Sequence, residues 1–209
     1  FYSGSATTAQ AVMELNAEDG GKRKFILIQM PEHVKKGTDA FEAGYKTICD
    51  IGKERIRKAG AKILKETGKN DLDTGFKVFK LDSSNLKQWD SKAENVEQYL
   101  LDMQNNLKAD RTNEDLIYEI LLKIGLPLTE SIEEIKSGEK TIYKVGGGLA
   151  FICLEDEIDS ELIDNLLTYK PNDLSPKIIF KDAGFVDDAA KMNAIQTLHE
   201  NGLNDVRSV

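Results

Sequence analysis

The opening stretch sets a small-residue turn, a helix and a short apolar run in immediate succession, and few folds accommodate that order. The turn is Phe1-Tyr2-Ser3-Gly4-Ser5-Ala6-Thr7-Thr8, and Ala9, Ala11, Val12 and Leu15 follow at helical spacing. Thr7 or Thr8 is expected to cap this helix with a hydroxyl, and Gly20-Gly21 to end it. Residues 24–29 (Lys-Phe-Ile-Leu-Ile-Gln) form a short apolar run that suits a buried, parallel strand closed by Pro31. Turn, helix and strand in this order suit nucleotide binding. Small residues let the backbone approach a ligand, the helix N-terminus offers free N–H groups, and a polar residue at the strand tip, here Gln29, can reach a ribose hydroxyl. A capped helix after an ordinary turn gives the same pattern, and Ala6 stands where the usual pattern has glycine.

Beyond this segment, the spacing predicts helices within 40–63 with a break at Ile51-Gly52, and a half-buried strand over 75–81. Val96, Leu100, Met103 and Leu107, then Leu116, Ile120 and Ile124, predict two helices between 93 and 124. Strands are expected at 141–145 and 149–154 around Gly146-Gly147-Gly148, then a helix at 160–167, a strand at 177–180, a helix at 187–200 and a strand at 205–209. That alternation makes the chain α/β.

Charge and cysteines narrow the function classes. Twenty-eight basic against 36 acidic residues leave a net charge of −8, which counts against a stand-alone nucleic-acid binder. Cys49 and Cys153 lie far apart with no CxxC partner, which argues against zinc and a disulfide framework and for reduced thiols in a cytoplasmic protein. No apolar run is long enough to span a bilayer, and no secretory signal is present. The chain starts at Phe, so we expect a piece of something longer. His33 and His199 read as surface residues, and the triple glycine reads as a hairpin turn rather than a phosphate cradle. Lys53, Arg55, Arg57, Lys58, Lys62 and Lys65 read as a solvated helix face before a DNA-backbone contact. Asp182, Asp187 and Asp188 read as helix-start charges.

The stretch Tyr2-Ser3-Gly4-Ser5-Ala6-Thr7-Thr8 with Ala11-Val12-Met13-Glu14-Leu15-Asn16 resembles the S-adenosylmethionine motif of amino-methylating DNA methyltransferases. Gly21–Glu32, Ile48–Arg57, Gly75–Asn85 and Phe180–Asp188, with Asn193, Val206 and Arg207, resemble the modification (Mod) subunits of type III restriction–modification systems. The resemblance covers most of the chain. It implies a beta-class adenine-N6 DNA methyltransferase with a partial Rossmann-like sheet. Residues 1–92 would be its cofactor-binding part, and 93–209 a C-terminal α/β extension with a helical linker, serving subunit interaction.

By position, the resemblance implies that Tyr2, Ser3, Gly4, Ser5 and Ala6 line the methionine and ribose part of S-adenosylmethionine, and that Thr7 and Thr8 present the helix N-terminus to its carboxylate. Gln29 stands where many relatives carry an acidic ribose-binding residue, and Met30 and Pro31 would flank the adenine. The family's Asp-Pro-Pro-Tyr-type catalytic motif is missing, since the sequence has no Pro-Pro; catalytic and metal residues are therefore none, and the isolated chain is expected to be inactive. The implied partners are DNA, through the missing part of the parent protein, the restriction subunit and a second modification subunit as a homodimer; no membrane is implied. The alternative is a degenerate, non-enzymatic relic acting as an interaction module.

Overall fold

In the computed structural model, described for residues 1–69, 71–87 and 107–209, the chain is a mixed α/β protein. It divides into two units, Phe1–Phe79 and Lys80–Val209. The expected domain boundary at 92/93, and the helix expected from Ala93, lie outside the described residues.

In the first unit, α1 (Thr7–Asp19) places Ala9, Met13 and Ala17 on one face at four-residue spacing. It packs on α3 (Ile48–Thr67) through Ile56, Ala59 and Ile63, and Phe25, Leu27, Leu72 and Phe76 close this small core. A short α2 (Asp39–Glu42) lies between them in sequence. Three expectations need correction. Thr7 and Thr8 lie within α1 and do not cap it; the N-cap is Ala6. α3 runs unbroken through Gly52, because the capping box of Thr47 and Asp50 starts the helix ahead of the glycine, and Gly52 lies on the buried face of the helix. No strand forms at 24–29 or 75–81. At 25–30 alternate residues are half-buried (Phe25, Leu27, Gln29) and exposed (Ile26, Ile28, Met30), so the strand-like alternation survives. Among the described residues no neighbouring strand bonds these segments into a ladder, and pairing is what makes a strand. The apolar run is tethered instead by Asn16, whose side chain donates to Arg23 O (2.9 Å) and accepts from Arg23 N–H (3.0 Å).

The sheet lies wholly in the second unit. Its five strands, β1 (Ile132–Ser137), β2 (Lys140–Val145), β3 (Ala150–Cys153), β4 (Lys177–Phe180) and β5 (Asp205–Ser208), are ordered as in the chain. β1–β2 and β2–β3 are antiparallel, whereas β3–β4 and β4–β5 are parallel. The parallel pairs are joined by α5 (Ser160–Thr168) and α6 (Asp188–Glu200), as a parallel connection requires. Leu162, Ile163, Leu166, Ala194 and Leu198 from these helices bury Phe151, Cys153, Ile178 and Phe180 on one sheet face. α4 (Asn113–Ile124) buries Ala150, Ile152 and Ile179 on the other through Leu116, Ile117, Ile120 and Leu121. Covered on both faces, β3 reads as a continuous apolar run, Ala-Phe-Ile-Cys, all buried. β1 was not expected; its Ile132 and Ile135 are diluted by Glu133, Glu134 and Lys136.

Candidate functional site

The candidate site is the junction of the first loop with α1. Tyr2, Gly4 and Ala6 have φ of 48, 55 and 64°, left-handed values that fold the chain tightly ahead of the helix. Ala6 is 2% exposed and carries this conformation without being glycine, at a cost of about 1–2 kcal/mol. Its N–H closes a turn onto Ser3 O (2.9 Å), and Ser3 N–H donates to Ile28 O (3.0 Å). Ser3, Gly4 and Ser5 are half-buried, and Tyr2, Thr7 and Thr8 are exposed.

The structure brings Gln29 to this loop. Gly4 N–H donates to Gln29 Oε1 at 2.8 Å, and Gln29 Nε2 donates to Met30 O at 3.2 Å. Gln29 therefore braces the turn against the tip of the apolar run. Met30 and Pro31 follow at the tip and are exposed. Cys49 on α3 points its thiol at Gln29 O (3.6 Å) and Met30 O (3.7 Å).

Sequence reasoning missed two residues beneath the loop. Gly52, read as a helix break, is the place where α3 passes Gly4–Ala6; a β-carbon there would meet Ala6 Cβ at 3.5 Å and Gly4 O at 3.6 Å. Arg55, grouped with the basic face, reaches back to Gln10 Oε1 (3.4 Å), and its buried Nε has no hydrogen-bond partner. Only their spacing from Ile56 and Ala59, which places them on the inner side of α3, hints at this in the sequence.

Charge at the site is set by what α1 lacks. Among the described helices, α2 to α6 each begin on a Thr or Asp whose side chain accepts a backbone N–H. α1 has no such cap and no acidic residue in its first turn. Its free N–H groups and roughly half a positive charge of helix dipole are left for another acceptor. Four other members of the basic stretch are spent on neighbours. Lys53 pairs with Asp50 (2.8 Å), Lys58 with Glu54 (3.5 Å) and Lys62 with Glu66 (3.7 Å), and Arg57 lies 5.7 Å over the Phe76 ring. Lys53 and Thr47 hold the Asp50 carboxyl well below the usual carboxylate range, so the α3 cap stays ionised.

Elsewhere, the triple glycine turns β2 into β3, with all three residues at positive φ. Asp187 caps α6, and Asp182 pairs with Lys191. Among the described residues no three His, Cys, Asp or Glu side chains converge as a metal site, and no helix is long and apolar enough to cross a membrane.

No known family profile matches the sequence. Individual relatives do. The StyLTI Mod subunit of Salmonella typhimurium is 46% identical over 80 residues, 38% of this chain and 12% of the relative. The EcoPI Mod subunit of Escherichia phage P1 is 31% identical over 193 residues, 88% of this chain. The chain is a homologue of type III Mod subunits. The type II methyltransferase M.KpnI of Klebsiella pneumoniae is also similar, 41% identical over 56 residues, 27% of this chain and 13% of the relative. This Mod homologue spans 28% of the length of the EcoPI subunit.

Proposed function

We propose that the chain is part of a site-specific adenine-N6 DNA methyltransferase of a type III restriction–modification system, and that its first loop holds S-adenosylmethionine. The observation that carries this is the uncapped start of α1 behind a left-handed loop, in a chain whose relatives include methyltransferases. An acceptor-hungry helix end suits a carboxylate. Thr7 and Thr8 would present their N–H groups to the methionine carboxylate, Tyr2 to Ala6 would line the methionine and ribose, and Gln29 would hold loop and ribose together. Met30 and Pro31, exposed at the tip, would flank the adenine. Bound there, the cofactor would supply an electrophilic methyl group for the amino nitrogen of adenine. The residues that hold that adenine would come from other parts of a Mod subunit.

In this reading residues 1–92 are the cofactor-binding part of a Rossmann-like methyltransferase, acting in the cytoplasm. Residues 93–209 serve contact with a restriction subunit and a second Mod subunit, and DNA is reached through the rest of the protein. Two features favour the non-enzymatic module instead: Ala6 in a glycine conformation, and a Gln29 amide engaged at both ends.

Thermal melts with and without S-adenosylmethionine separate the two. Ligand at ten times its Kd adds about 1.4 kcal/mol to the folded state. A Thr8→Glu variant puts a carboxylate on the free helix end; it should melt no lower than the parent and lose the ligand shift. A flat parent melt leaves the module reading, and an undiminished shift in Thr8→Glu rules out the α1 terminus as the anion site.

A further inference from the structure

β5 pairs with β4 on one side, and among the described residues no strand lies on the other. Its ladder fixes which groups face outward. Val209 donates its N–H to Phe180 O and accepts at its carbonyl from Asp182 N–H, both at 2.9 Å. Backbone groups alternate along a strand, so Val209, Arg207 and Asp205 spend theirs on β4, while Val206 and Ser208 turn theirs outward. An edge of this kind invites another strand.

Its side chains favour one particular strand. Asp205 and Arg207 share a sheet face and bond each other within the chain at 2.7 and 3.1 Å. Val206 points to the α6 face, beside a cavity of about 200 Å³ bordered by Phe180, Phe185, Lys191, Ile195 and Ser208. Val186 (88% exposed) and Met192 (62%) lie in sequence beside these lining residues. The triplet Asp205-Val206-Arg207 is its own complement when reversed: set antiparallel to itself about Val206, it places each Asp205 across from an Arg207.

We propose, resting on the second-subunit reading above, that β5 is a dimerisation strand: two copies of this chain join β5 to β5 antiparallel about a two-fold axis at Val206. The backbone geometry agrees with the charge pattern. Val206 has its N–H and C=O outward, so the two Val206 residues form a hydrogen-bonded pair. The flanking Asp205–Arg207 pairs fall at the closer, non-hydrogen-bonded positions where side chains meet best. The contact is isologous and closed, so it ends at a dimer, and the sheet runs on through both copies. On the α6 face, the Val206 methyl groups of one copy face the cavity beside Ile195 and Phe185 of the other.

Sedimentation equilibrium of the whole chain, from micromolar to submillimolar concentration, tests this. The parent should dimerise. Arg207→Asp sets carboxylates against each other at both ends and should raise the dimer dissociation constant about tenfold or more. The swap Asp205→Arg with Arg207→Asp restores the complement and should restore the dimer. Val206→Pro removes an outward N–H that the fold does not use, a place where an edge strand tolerates proline, and should give monomer. Far-UV circular dichroism checks that each variant is folded, since Asp205 also takes Lys177 at 2.9 Å. A dimer that survives both Arg207→Asp and Val206→Pro overturns this surface and leaves the second-subunit reading standing. A parent that is monomeric throughout overturns both, and a swap that fails to re-dimerise overturns the register.

Discussion

Two glycines on one helix should respond to the same substitution with opposite sign. Gly52 and Gly60 both lie inside α3 and are buried. Replacing either with alanine gains about 1 kcal/mol of helix propensity. At Gly52 the new methyl group would make ordinary contact, 3.5 Å from Ala6 Cβ and 3.6 Å from Gly4 O, so the gain should survive. In a unit of this size, 1 kcal/mol moves Tm by about 4–8 °C. At Gly60 the methyl group would come to 2.9 Å from Thr74 Cβ and 3.4 Å from both Cγ2 and Oγ1. A β-carbon cannot swing away without its backbone, so overpacking of about 1–3 kcal/mol opposes the gain. Gly52→Ala should therefore stabilise, and Gly60→Ala should be neutral or destabilising. Urea unfolding followed by far-UV circular dichroism, with m-values compared to keep the states equivalent, measures both. Equal stabilisation by the two would refute the packing of 74 on α3, and a destabilising Gly52→Ala would refute the seat of the loop on Gly52.

Three further outcomes are expected. Burial resists ionisation of Glu119, but Lys123 (2.8 Å), Ser84 Oγ (2.6 Å) and Asn85 N–H (2.7 Å) outweigh it and hold its pKa at about 2. A carboxyl depressed on folding contributes stability that is complete above its ordinary 4.5 and lost as pH falls toward about 2; Glu119→Gln should lower stability at pH 7 and flatten the acid limb of the stability profile in that window. Thr112→Ala removes the acceptor for Asp115 N–H and half of the α4 capping box, and should cost about 1 kcal/mol in urea unfolding. Burial pushes the Cys153 thiol up to about 11, whereas Cys49 is partly exposed; a thiol reagent at pH 8 should modify Cys49 quickly and Cys153 only on unfolding, and two fast thiols would contradict the buried β3.

The second unit was the more legible half, because its signals are local and agree with one another. The Asp187 cap, the apolar spacing through Leu198 and the run Lys177-Ile178-Ile179-Phe180 each specify their element without help. β1 escaped because its alternating charges give an edge strand no apolar run; only the Ser137-Gly138-Glu139 turn betrays the hairpin it forms with β2. In the first unit the helices were legible, but the two strands were not decided by their own residues. Residues 24–29 and 75–81 carry strand-like apolar content, yet a ladder depends on a neighbour that no local pattern can name. The break expected in α3 failed because the Thr47–Asp50 capping box starts the helix ahead of Gly52, and the buried face on which Gly52 sits packs under Gly4–Ala6 and keeps the helix going. At the candidate site the loop, the helix start and Gln29 were readable as neighbours, whereas the bond from Gly4 N–H to Gln29 Oε1 required the fold.

The order of strands in the second unit also bears on how the chain acquires its shape. Among the described residues each strand from β2 to β5 pairs with the one before it in sequence, and even the parallel partners, Ala150 with Lys177 and Lys177 with Asp205, stand fewer than thirty positions apart. Each new pairing closes a short loop onto a surface already made, so the search is local for a sheet with parallel members. Emerging from a ribosome, β1 and β2 can pair before β3 exists, and each later strand finds its place waiting. No described strand of this sheet has to remain unpaired until a distant one arrives.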